Sequence, residues 1–132
     1  MPIHRGPSAI PGVIQTVLSG RVTNHELLEY YGRLIQDVES QPWRELVDGT
    51  GITEMAISPL GQADLAAFIA GHVERLRGGK VAMVAGSDVT YQMFRMWELQ
   101  REGLGYAVRV FRRMDEAVAW LSSSDEPAGE PT

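Results

Sequence analysis

Lys80-Val81-Ala82-Met83-Val84-Ala85, entered from Gly78-Gly79 and left through Gly86-Ser87-Asp88, is the stretch that decides the fold. Five apolar residues in a row leave no polar face to turn toward water, so this strand is expected to be covered on both sides, the signature of a parallel sheet between helices. Outward from it, elements alternate. Before it, Ser58-Pro59 reads as an N-cap with proline at the first helical position, and Leu65, Phe68, Ile69, His72, Val73 and Leu76 mark the helix that follows. After it, Ser87 caps a helix whose expected apolar stripe is Val89, Met93, Met96, Gln100 and Leu104, closed by Gly103 and Gly105. Further out, Thr23 and Glu26 form a capping box for a helix carrying Leu27, Tyr31, Leu34 and Val38, and Pro42 stops it.

The expected strands are 13–18, 43–48, 80–85 and 106–111, and the expected helices 23–39, 58–77, 87–103 and 114–121. This is an α/β architecture with a mostly parallel sheet. Residues 13–121 form one domain, preceded by an extended segment over 1–12, where Pro2, Pro7 and Pro11 remove backbone donors. Residues 122–132, with three serines, two prolines, three acids and no base, are expected to be a disordered acidic tail. The core candidates are Val17, Leu27, Leu34, Val47, Leu65, Ile69, Val81, Met83, Met93, Met96, Val110 and Trp120.

Composition narrows the function classes. The chain has 132 residues, 44% of them hydrophobic, enough for one buried core. A net charge of −5 gives no bulk attraction to nucleic acid or an anionic membrane, and zero cysteines exclude a disulfide framework and thiolate chemistry. Without an apolar run near ~20 residues or a basic leader, neither a membrane span nor a signal peptide is expected, and the expected location is cytoplasmic. His4, His25 and His72 lie in separate segments without ligand spacing, so no metal site and no cofactor are expected. Gly49-Thr50-Gly51 lacks the lysine and the third glycine of a phosphate loop, and Gly86-Ser87-Asp88 supplies only one of the glycines a nucleophile elbow needs. No catalytic constellation emerges.

Two polar clusters fall at the expected carboxyl ends of strands, where sites in open α/β sheets lie: Asp48 and Thr50 with Ser58, and Ser87 and Asp88 with Tyr91. Phe94 and Trp97, with Arg101, make a strip about 100° from the Met93 direction that suits a partner, and a two-fold homodimer is expected through it.

Trp43-Arg-Glu-Leu-Val-Asp48, Lys80-Val-Ala-Met-Val-Ala85, Tyr91-Gln-Met-Phe-Arg-Met-Trp-Glu98 and Val108-Arg-Val-Phe-Arg-Arg-Met-Asp-Glu-Ala-Val-Ala-Trp-Leu121 resemble the bacterial SpoIIAA-like proteins of the STAS superfamily. The resemblance runs from about Gly20 to Leu121 and implies a mixed, mostly parallel sheet with covering helices. It also implies that Ser58 corresponds to the serine that a partner kinase phosphorylates in anti-sigma-factor antagonists, although Ile57 stands here in place of the preceding acid and Pro59 follows. The reading this favours is a non-catalytic regulatory or protein-interaction domain, with Thr50 to Gly61 and the start of the second helix as its contact surface. The alternative is a carrier of a small apolar ligand or lipid, with Met55, Ile57, Leu60, Phe68 and Met83 lining the pocket.

Overall fold

The computed structural model describes residues 2–8, 10–37 and 42–123. Five strands, β1 (Ile3–Gly6), β2 (Ile14–Thr23), β3 (Arg44–Ala56), β4 (Lys80–Ala85) and β5 (Ala107–Phe111), form one sheet in sequence order. β1 runs antiparallel to β2 and every other pair is parallel. The helices are α1 (Asn24–Asp37), α2 (Pro59–Ala70), α3 (Val73–Leu76), α4 (Asp88–Gln100) and α5 (Met114–Ser122).

The sheet divides the core in two. Alternate residues of a strand face opposite ways, so Val47, Val81, Met83 and Ala85 pack with Leu27, Leu65, Leu76, Phe94 and Trp97 from α1 to α4. Leu46, Ala82 and Val84 instead meet Ala117 and Leu121 of α5 on the other side. All six residues of β4 are buried, as its apolar run requires. The capping box forms: Thr23 N donates to Glu26 Oε1 at 3.1 Å, and Glu26 N to Thr23 Oγ1 at 3.2 Å. Lys80 Nζ donates to the Ser123 carbonyl at 2.8 Å beyond α5, placing a cation where a helix's unpaired carbonyls concentrate.

Four expectations need correction. The first twelve residues hold β1, because Ile3 finds a buried place against β2 and the Pro2 carbonyl accepts from Ser19 N at 2.8 Å. The expected strand ends at Leu18 and Asp48 are passed, and Ser19-Gly20 and Gly49-Thr50-Gly51 lie inside strands. β2 and β3 run through them, and the register shifts on both sides of Ser19-Gly20, with Gly20 at φ 66°, as at a β-bulge. The second helix breaks at Gly71-His72, whose backbone N–H groups bond to Ala67 O and Ile69 O, so α2 and α3 are separate.

Fourth, α4 is turned by about one residue, or ~100°, from its expected stripe. Thr90, Phe94 and Trp97 face the core, Met96 is 38% exposed and Val89 is 72% exposed. Burying two aromatic rings removes more apolar area from water than burying two methionines. Gly49 makes the seat for this packing: a Cβ there would lie 2.8 Å from Phe94 Cζ. Val17, Ile69, Met93, Val110 and Trp120 are half-buried rather than fully enclosed. Val38 and the tail from 124 onward lie outside the described residues.

Candidate functional site

The expected polar clusters are engaged locally. Asp48 Oδ1 accepts from Thr50 N at 3.0 Å and from Thr50 Oγ1 at 2.6 Å, within β3. Ser58 Oγ accepts from Gly61 N at 3.0 Å and caps α2. Ser87 Oγ accepts from Thr90 N at 3.2 Å and caps α4. Asp88 pairs with Arg112 at 2.9 Å, and the same guanidinium lies 5.2 Å from the centre of the Tyr91 ring, which brings Asp88 and Tyr91 into one surface group. Thr50 passes directly against Gly86, where a Cβ would meet Thr50 O at 2.7 Å, so the middle of β3 adjoins the end of β4. The expected contact surface from Thr50 to Gly61 is mostly regular structure, since β3 continues to Ala56 and α2 starts at Pro59.

Phe94 and Trp97 are 0% and 5% exposed, with ring centres 5.6 Å apart. They are core residues and cannot serve as surface anchors for a dimer in this conformation; the wide apolar surface of the two rings drew them under the helix rather than out toward a partner.

A different place gathers chemistry. Between the sheet and α1, α2 and α4 lies a cavity of about 70 Å³. Leu18, Val47, Val81 and Met83 form its floor, Leu65, Phe68 and Ile69 of α2 its cover, and Tyr31 and Ile35 of α1 one wall. Of the residues expected to line a pocket, Phe68 and Met83 do so; Met55 and Ile57 are half-buried elsewhere in the same core, and Leu60 is 74% exposed.

One end of the cavity is polar. Glu45 is 2% exposed, and its carboxylate is saturated. Oε2 accepts from Thr16 Oγ1 at 2.6 Å and from Tyr31 Oη at 2.7 Å, while Oε1 accepts from Trp43 Nε1 at 3.2 Å. Thr16 Oγ1 also lies 2.8 Å from Tyr30 Oη, extending the network to a fifth residue. Burial pushes the Glu45 carboxyl above its ordinary range, against the pull of those three donors and of Arg101. Burial likewise pushes the Tyr30 hydroxyl up to about 12 and the Tyr31 hydroxyl well above 10, so both are neutral donors at ordinary pH.

Arg101, at the end of α4, and Tyr106, just before β5, complete this end. The Arg101 guanidinium lies 5.5 Å from the centre of the Trp97 ring, and its Nη1 is buried without a hydrogen-bond partner among the described residues. Such an orphan is uncommon, because burying an unpaired donor costs about 1–3 kcal/mol or more for a charged group.

Sequence reasoning passed over Glu45 and Tyr106, read Tyr31 only as part of an apolar helix face and put Arg101 on a partner-facing strip, although a signal for the first was present. In a strand covered on both faces, Trp43, Glu45 and Val47 share one side by their spacing of two, so an acid at the middle position has to be buried. Arg101 follows Thr90, Phe94 and Trp97 at helical spacing, a stripe whose inward direction only the phase of α4 decides.

No family model matches this chain, and no curated protein does either. Among solved structures, an uncharacterised protein of the DUF3478 family with a SpoIIAA-like fold, from Shewanella loihica PV-4, matches with a TM-score of 0.60. The match covers 90% of this chain and 91% of that one at 15% identity. The likeness is one of fold, and the fold of this chain is SpoIIAA-like, a mostly parallel sheet with covering helices.

Proposed function

We propose that this is a binding domain for a small, mainly apolar molecule, held between the sheet and α2, and that it is not an enzyme. The cavity carries the reading. Protein interiors are close-packed, with few voids larger than a water molecule, and ~10–15 Å³ suffices for one water. A space of about 70 Å³ is several times that size, and most of its wall is hydrocarbon and ring. Apolar walls hold water poorly, so an apolar occupant gains by displacing it. The polar residues at the strand ends, Asp48, Ser87 and Asp88, are occupied by a hydrogen-bonded threonine within β3, a helix cap and a surface ion pair, which favours binding over chemistry. The domain is proposed to work in the cytoplasm; among the described residues no helix is long and apolar enough to cross a membrane.

Native mass spectrometry of gently purified protein tests this. The expected result is an adduct of low mass that is lost on denaturation and absent from Leu65→Trp, whose indole fills the space beneath α2. A bare chain from the native host, together with no binding of small apolar probes by the purified protein, would overturn it.

One observation favours a second reading, the regulatory domain. Ser58 and Leu60 are both exposed at the start of α2, the helix that covers the cavity. A phosphate on Ser58 would sit at the positive end of that helix and alter a partner surface without unfolding the domain. Phosphate on Ser58 in protein from its host, and altered partner binding by Ser58→Asp but not Ser58→Ala, are its expected marks. A homodimer is a separate proposal, with the outward residues Val89, Met96 and Leu99 of α4 as its contacts. A strict monomer in sedimentation at high concentration would reject it.

A further inference from the structure

Resting on the cavity reading, we propose that the molecule held there carries a carboxylate head, received by Arg101 and Tyr106, with a short apolar body lying against Leu65, Phe68, Val81 and Met83. The cavity's two charged residues are Glu45 and Arg101, and they are not equivalent. Glu45 has both oxygens occupied, by Thr16 and Tyr31 on one and Trp43 on the other. It therefore has little left to offer the guanidinium, which influences it through space and makes no hydrogen bond to it among the described residues. Arg101 keeps a buried Nη1 with no acceptor, and the ring of Trp97 supports the guanidinium plane without accepting its donors.

What is missing beside Arg101 is an acceptor, and the group that fits a guanidinium fork best is a carboxylate, through parallel charge-assisted hydrogen bonds. Tyr106 lines the same end, and burial keeps its hydroxyl protonated, so it supplies a second donor. A neutral head such as an amide or alcohol would accept a hydrogen bond from the buried Nη1 but would bring no counter-charge to the half-buried guanidinium. The other end of the space is hydrocarbon, which excludes a second charge on the ligand, and about 70 Å³ limits the body to a few carbons unless α2 moves outward.

The test uses the full chain and three probes of equal length: hexanoate, hexanamide and 1-hexanol, titrated by calorimetry and ligand-observed NMR. Hexanoate is expected to bind about tenfold tighter than hexanamide, the scale of one charge-assisted hydrogen bond. Arg101→Met should remove the difference by weakening hexanoate much more than hexanamide, Arg101→Lys should restore part of it, and Tyr106→Phe should weaken hexanoate most. Thermal unfolding of each variant confirms that it is folded. Equal affinity for hexanoate and hexanamide, or an Arg101→Met protein that still prefers hexanoate, overturns the head-group assignment and leaves the cavity reading standing. Failure of all three probes to bind the unaltered protein overturns both.

Discussion

The two faces of the sheet solve the same packing problem in opposite ways. On the α5 face, Ala82, Ala117 and Leu46 bring helix and sheet together with small or compact side chains at the centre, the Phe111 and Trp120 rings lie only half-buried around them, and Ala82, Ala117 and Leu121 are each 0% exposed. On the other face, Trp43, Phe94, Trp97, Tyr30 and Tyr31 are large and rigid, and four helices must share one surface. Rings that cannot fold into gaps leave space between them, and a carboxylate with its donors holds that space open at one end. The contrast teaches that the hollow belongs to one layer and is not a general looseness of the fold.

Core substitutions are the strongest way to break this comparison. Leu121→Ala, on the tight face, should cost about 3–4 kcal/mol in chemical denaturation, because a fully enclosed leucine leaves a void its neighbours cannot fill. Next is overpacking: Ala117→Leu should cost ~2 kcal/mol or more, whereas Val81→Ile, which extends into the cavity, should be within ~0.5 kcal/mol of neutral. Equal costs for the two would mean that the cavity face is as tightly filled as the other.

The polar end gives a pH signature. Glu45 holds its proton to higher pH folded than unfolded, so above the unfolded value near 4.5 the unfolded chain has released a proton that the native one keeps. Its contribution to stability is thus greatest below that value and is lost as pH rises through the folded value. The stability of the unaltered protein relative to Glu45→Gln should therefore fall across this window, measured by urea unfolding at a series of pH values. Tyr30 acts in the same direction at the alkaline end, where stability should fall from about pH 10 to about 12, and Tyr30→Phe should reduce that fall. The smallest effect lies outside both cores. Ser58→Ala should cost ~1 kcal/mol through the lost α2 cap, and Ser58→Asp should restore it.

Much of the fold was legible because it rests on local rules. The apolar run of β4, the Thr23–Glu26 capping box, Ser58-Pro59 and Ser87 each act within a few residues, and the structure has all of them. The ends expected for β2 and β3 fell short at Gly20 and Gly49, because a glycine that permits a turn also permits a bulge or an unbroken strand, and only the neighbouring strand decides between them.

By itself the sequence determined the alternation of strand and helix from β2 onward, though neither β1 nor the break between α2 and α3, together with the burial of β4 and the absence of thiol chemistry, since hydropathy, capping and composition do not depend on distant partners. Only the tertiary structure decided which way α4 turns and what meets Glu45. Thr16, Tyr31, Trp43 and Arg101 come from four different parts of the chain, and their meeting depends on helix phase and strand register, in which one residue's slip moves a side chain to another face.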